Sequence, residues 1–237
     1  MRFAIFSDIH GNLAALRAVT AAVESSGPFE RVIVAGDLAQ GGPRPRECWE
    51  HLRDRGWTLV RGNEDESLGL SRVAHGEFPP HLRAAALAQI RWTREQLTAE
   101  ILSGLMMLPR QYRQGTPAGD LIVVHSSPCG TNDRRGGPHN TAAEVRDAYG
   151  RTGATAIAFG HYHNCFVRTT EFALLVNVAS VGLPLSGRPL AFYTILTATL
   201  GGWIVQQRQA PYDAREEIEA AREREMPEWV IADAPLG

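Results

Sequence analysis

The chain has 237 residues, 44% of them hydrophobic, enough for one large domain or two small ones around a substantial core. Its 24 basic residues are all arginine and face 26 acidic ones, a formal net charge of -2, which argues against a large nucleic-acid binding surface. No run approaches the roughly 20 apolar residues of a membrane span, and Cys48, Cys129 and Cys165, widely spaced without a CxxC pair, exclude a disulfide framework and a thiolate zinc site.

In chain order, FAIFSDIHGN (3–12) begins as an apolar run that reads as a buried strand and changes character at Asp8. Asp8 and His10 lie two positions apart, so on an extended chain they point to one side. They are either an ordinary strand-end turn, with Asp8 capping the segment after it, or the first half of a metal site. NLAALRAVTAAVESSG places Leu13, Leu16, Val19 and Val23 at helical spacing and stops at Gly27. The unit recurs in RVIVAGD (31–37), a strand, PRECWEHLRDRG, a helix, and WTLVRGN (57–63), a strand with a polar end. Such alternation predicts a sheet with helices packed on it.

Residues 79–108 carry a long helical pattern closed by Pro109, read as a helical cap-like insertion within about residues 65–115. It is expected near the mouth of any strand-end site, where insertions vary function. Trp92, Met106 and Met107 are read as packing residues within it. Strands resume with DLIVVHSSP and ATAIAFGHYH, and FALLVNVASVG, LAFYTILTA and GWIVQQRQ then predict an antiparallel meander. DAREEIEAAREREMPEWV reads as a charged helix. With no repeat or linker, a single domain over residues 1–237 is expected.

Each strong strand run ends in a potential metal ligand: Asp8 and His10, then Asp37, Asn63, His125, and finally His161 and His163. In an α/β sheet the strand ends form the ligand-binding edge, so these seven can converge there. Carboxylate, amide oxygen and imidazole suit manganese, iron, zinc or nickel. The expected product is a two-metal centre for hydrolytic phosphoester chemistry. His51, His75, His81 and His139 fall outside the pattern and are read as surface or loop residues.

The segments SDIHGN, AGD, RGNED, VVHSSP and GHYH together resemble the five ordered motifs of the calcineurin-like metallophosphoesterases, and NVASVG resembles a strand-and-turn segment of the bacterial and archaeal phosphodiesterase branch. The resemblance implies an α/β fold, a four-layer α/β/β/α sandwich of two mixed sheets flanked by helices. It implies two divalent ions, Mn2+ foremost with Fe, Zn or Ni as alternatives. Asp8, His10 and His163 would hold one, Asn63, His125 and His161 the other, with Asp37 between them. Many members have a histidine where this chain has Glu64, and a glycine where it has Ala179. A carboxylate is a poor general acid at neutral pH, so Glu64 points to diesters with good leaving groups over monoesters. Asn12 is expected to cap the helix that starts at Leu13 and contact phosphate, and Arg61 either reaches phosphate or forms a salt bridge.

The function expected is a divalent-metal phosphodiesterase acting on a small nucleotide or related diester. The alternatives are a dinucleoside polyphosphate hydrolase or phosphomonoesterase and, in another class, a non-catalytic scaffold on the same fold. No membrane partner is expected, the oligomeric state is open, with a homodimer one option, and a reducing compartment, the cytoplasm, is expected from the cysteine pattern and an amino terminus that enters a strand directly.

Overall fold

The computed structural model describes residues 1–71 and 80–227, with the backbone alone for 80–82. In chain order these form β1 (Arg2–Phe6), α1 (Leu13–Ser26), β2 (Arg31–Val34), α2 (Pro45–Arg53), β3 (Thr58–Leu59), α3 (Asn63–Leu70), α4 (Pro80–Glu95), α5 (Ala99–Met107), β4 (Gln111–Gln114) and β5 (Leu121–Val124). They continue with α6 (Ala142–Tyr149), β6 (Ala156–Phe159), β7 (Cys165–Thr169), β8 (Leu174–Val178), β9 (Leu190–Thr199), β10 (Gly202–Pro211) and α7 (Arg215–Glu223). Two five-stranded mixed sheets result, ordered β10-β9-β1-β2-β3 and β4-β5-β6-β8-β7.

The two-residue period of a strand builds the layers. Phe3 and Ile5 of β1 face the second sheet, whereas Ala4 and Phe6 pack toward α1 and α2. On the other sheet, Leu121, Val123, Ala156, Ala158, Val176 and Val178 face inward, and Ile122, Val124, Ile157, Phe159 and Leu175 pack on α6. The central strands are buried on both faces and therefore read as continuous apolar runs rather than alternating ones. Full burial of each large apolar side chain contributes about 1.5–3 kcal/mol, so the inter-sheet layer is a main source of cohesion. The order helix, sheet, sheet, helix is the four-layer α/β/β/α sandwich expected.

Helix α1 buries Leu13, Leu16, Val19 and Val23, and Asn12 Oδ1 accepts the free N–H of Ala15 at 2.9 Å. Helices α3 to α5 extend the helical layer of the first sheet: Leu68, Ile90, Leu97, Ile101 and Leu105 join the core that α1 and α2 share. Gly104 runs so close to Trp49 that an added Cβ would fall 2.7 Å from the indole. Trp92 packs on Met226 and donates to the Arg224 carbonyl at 3.1 Å, a packing residue as expected, while Met107 is 81% exposed. Among the described residues no helix is long and apolar enough to cross a membrane.

Several details differ from the sequence expectations. The carboxyl-terminal strands are not one meander: β7 and β8 form a hairpin in the second sheet, β8 runs parallel to β6, and β9 and β10 form a hairpin in the first. Local apolar pattern carries no information on which sheet a strand joins. Strand β4 and helix α6 are not among the elements expected from sequence. His51 is a half-buried residue of α2 whose Nε2 lies 3.0 Å from Thr20 Oγ1, rather than a surface residue. His75, the side chain of His81 and the end of the carboxyl-terminal helical pattern lie outside the described residues.

Candidate metal centre

Parallel strands β1, β2 and β3 end beside one another and deliver Asp8, His10, Asp37 and Asn63, while β5 and β6 deliver His125, His161 and His163 from the other sheet. The loops are laced together: Asp8 N–H donates to Gly36 O, His10 N–H to Asp37 O and Gly160 N–H to His125 O, at 2.8–3.0 Å. Glycines precede three of the donors because a side chain would strike another donor there. A Cβ on Gly62 would lie 2.0 Å from Asp37 Oδ1, and one on Gly160 2.2 Å from Asp8 Oδ2.

All seven side chains expected from sequence converge. His163 Nε2 lies 3.1 Å from His10 Nε2 and 3.3 Å from Asp8 Oδ1. His125 Nε2 lies 3.2 Å from Asp37 Oδ2 and 2.8 Å from Asn63 Oδ1, which is also 2.9 Å from His161 Nδ1. Asp37 Oδ2 is 3.9 Å from His10 Nε2 and so stands between the two groups. The ligand atoms of Asp8, His10 and His163, and those of Asp8, Asp37 and His125, each lie close enough to share one ion.

The imidazoles are preset for cations. Carbonyl oxygens only accept, so the contacts of His10 Nδ1 with Gln40 O, His125 Nδ1 with Ala35 O and His163 Nδ1 with Leu183 O, at 2.7–2.9 Å, place the proton on Nδ1 and turn Nε2 into the cluster. There Nε2 meets other acceptors at hydrogen-bond distance, an arrangement that requires a proton or a cation between them. The electrostatics agree. Burial lowers the affinity of His125 for its proton, but the charges of Asp37 and Asp8 outweigh it and raise the imidazole to about 10. Burial likewise opposes protonation of His163, and Asp8 again prevails, raising it. His10 and His161 are held down by burial and by the neighbouring imidazolium charge, His161 to about 3. Burial pushes Asp8 and Asp37 up, yet the imidazoles around them leave both carboxyls below their usual range. The donor set therefore fits two divalent ions, which would displace the imidazolium protons.

For the three further residues named from sequence, the cap of α1 by Asn12 and the salt bridge of Arg61 are among the expected roles. Asn12 spends its amide on the fold: besides capping α1, its Nδ2 donates to Gly182 O at 3.2 Å and Tyr212 Oη at 3.3 Å. Arg61 takes the salt-bridge alternative, 3.2 Å from Glu66, and donates to the Met106 carbonyl. Glu64, half-buried, donates its backbone N–H to Asp37 Oδ1 at 2.9 Å, and its carboxylate accepts from Asn63 Nδ2 at 3.0 Å.

Sequence reasoning missed Asp65, fully buried, whose carboxylate accepts from the N–H groups of Gly62, Asp37 and Leu38 at 2.8–3.0 Å and clamps the second and third donor loops together. Only its place in RGNED signalled it. Ser180 was missed as well: its hydroxyl donates to Asp8 O at 2.8 Å, within the NVASVG segment. Arg134 is exposed, and its charge bears on His161.

Comparisons with known proteins show which family the chain resembles and which solved structures share its fold. An uncharacterized protein of Methanocaldococcus jannaschii is 27% identical over 248 residues, spanning 96% of this chain and 94% of its own. The crystal structure of a metallophosphoesterase from Sphaerobacter thermophilus superposes with a TM-score of 0.73 at 27% identity, covering 100% of this chain and 99% of that one. A hypothetical protein from Pyrococcus horikoshii shares the fold with a TM-score of 0.83 at 20% identity, over 98% and 96% of the two chains. Residues 1–200 match the family model of the calcineurin-like phosphoesterase superfamily domain, and with that match spanning most of its length the chain belongs to that superfamily.

Proposed function

We propose that the chain is a divalent-metal-dependent phosphodiesterase that hydrolyses a small nucleotide or related diester. The observation that carries this reading is the convergence of seven oxygen and nitrogen donors into two groups with Asp37 between them. Asp8, His10 and His163 would hold one ion, Asn63, His125 and His161 the other, and Asp37 would contribute to both. When bound, a pair of divalent ions activates a water for in-line attack at phosphorus and neutralises phosphate charge. Carboxylate, amide oxygen and imidazole suit Mn2+, Fe, Zn or Ni alike, and the resemblance to the calcineurin-like metallophosphoesterases is what puts Mn2+ first.

The rest belongs to the chain. The carbonyls of Gln40, Ala35 and Leu183 fix three imidazole rings so that binding an ion needs no reorientation. At the position where many members carry a histidine, Glu64 presents an acceptor rather than a proton donor. The reaction is then best served by substrates whose leaving group departs without help, and a diester monoanion is repelled less by a carboxylate than a monoester dianion. The test is elemental analysis of protein made with manganese and iron available, and then hydrolysis of a matched nitrophenyl monoester and diester pair. Two ions per chain and faster diester cleavage are expected, with both lost in Asp37→Ala. A wild type without metal, or one that cleaves only the monoester, would overturn the reading.

A further inference from the structure

We propose that Glu64 is a positioning residue: its carboxylate holds the Asn63 amide by Nδ2, so that Oδ1 is turned into the donor cluster. The inference rests on the reading that Asn63 helps hold an ion. A primary amide has nearly the same shape after a half-turn about its last torsion, and only its oxygen can face a cation. Asn63 Oδ1 points to His125 Nε2 and His161 Nδ1 at 2.8 and 2.9 Å, and the opposite end of the amide meets Glu64 Oε1 at 3.0 Å. After a flip, Oδ1 would abut a carboxylate and the NH2 group would face the ion, two repulsions that the present orientation avoids. A hydrogen bond to an ionised acceptor is among the stronger ones, so a single carboxylate suffices to fix the rotamer.

The backbone of the same residue does related work. Glu64 lies in the first turn of α3, where N–H groups have no partner within the helix. Its N–H takes Asp37 Oδ1 and leaves Oδ2 to face His125 and His10. This contact survives any side-chain substitution except proline, so substitutions at Glu64 report on the carboxylate alone.

Mn2+ titration calorimetry on the metal-stripped full-length chain tests the proposal without reference to activity. Glu64→Ala and Glu64→Gln remove the same charge, but only Gln keeps an oxygen that can accept from Asn63. Loss of an outer partner of a ligand lowers metal affinity about 10–100-fold. Glu64→Ala is expected to weaken one of two ions within that range, and Glu64→Gln to recover most of the loss. In an Asn63→Asp background the ligand has two equivalent oxygens and needs no orientation, so Glu64→Ala there should weaken nothing. Equal weakening by Ala and Gln, or undiminished weakening in the Asn63→Asp background, would overturn the positioning role and leave a charge effect. Unchanged binding in Glu64→Ala would overturn it alone, whereas a wild type that binds no ion would overturn the metal reading beneath it.

Discussion

Five of the seven donor residues, Asp8, His10, Asp37, His161 and His163, hold left-handed backbone with φ between 50 and 68°, and Ala179 beside them has φ 62°. Each such residue costs about 1–2 kcal/mol, and sites that keep them have neighbours that fix them. Ala179 sits where many members have glycine, so Ala179→Gly should leave stability within about 1 kcal/mol, as strain relief offsets the lost methyl group. Ala179→Val, with a branched Cβ in a position only 1% exposed, should cost about 2–3 kcal/mol. Similar destabilisation by both in urea would sink the strain argument. Asp65 is a second residue whose part is structural. Asp65→Asn puts an NH2 group opposite N–H donors and should cost about 2–4 kcal/mol, with weaker binding of Mn2+ because the loops of Asp37 and Asn63 lose their clamp. Unfolding curves and calorimetry on one preparation decide it; a variant as stable as wild type rejects the clamp. The seven donors were legible in sequence because residue type and position at a strand end suffice to mark them. Asp65 was not, since its work depends on which N–H groups the folded backbone turns toward it, and Glu64 was singled out without its contact to the Asn63 amide, which only the folded side chains show.

Among elements, the strands read from sequence, β1, β2, β3, β5, β6, β8, β9 and β10, are all strands in the structure, and only the sheet each of the last three joins was misjudged. Strand β4, QYRQ, is a partly exposed edge strand with a single large apolar residue and gives no pattern to read. Helix α6 is short, although the capping box of Thr141 and Glu144 was there to find. The packing of α2 on α1 yields a pH dependence that sequence could not have given. Thr20 Oγ1 donates to Leu16 O at 2.7 Å, so its contact with His51 is one that Nε2 donates. Burial, with the charges of Arg55 and Arg17, lowers His51 from 6.5 to about 4. As pH falls the unfolded chain takes up this proton first, so the contribution is intact above 6.5 and is lost between 6.5 and about 4. Because the ring is only half-buried, the loss should be about 1–2 kcal/mol rather than the full value of the shift. His51→Gln should remove that part of the acid sensitivity, and denaturant unfolding at neutral and acid pH would show it. Parallel stability curves for the two proteins would reject the assignment.

At the scale of the whole molecule, the donors come from both sheets, Asp8, His10, Asp37 and Asn63 from one and His125, His161 and His163 from the other. Below them the sheets are joined by the inter-sheet apolar layer, and at the level of the site by contacts such as His161 N–H to the Asp8 carboxylate, at 3.0 and 3.2 Å to its two oxygens. An ion held by Asp8, His10 and His163 would therefore bridge the sheets, and so would one held by Asn63, His125 and His161. Unfolding separates every donor from its partners, so the ions should bind the folded chain alone and stabilise it by mass action. At a free concentration of 100 Kd each site contributes about 2.7 kcal/mol, or about 5 kcal/mol for two. For a chain of this size that corresponds to a rise in Tm of about 10–20 °C. Thermal unfolding of the metal-stripped protein, with and without Mn2+, measures this directly. His10→Ala removes a donor from one group only and should keep roughly half of the rise, whereas Asp37→Ala, which stands between both, should lose nearly all of it. If Mn2+ raises Tm in Asp37→Ala as much as in wild type, the ions do not bind where the two sheets meet.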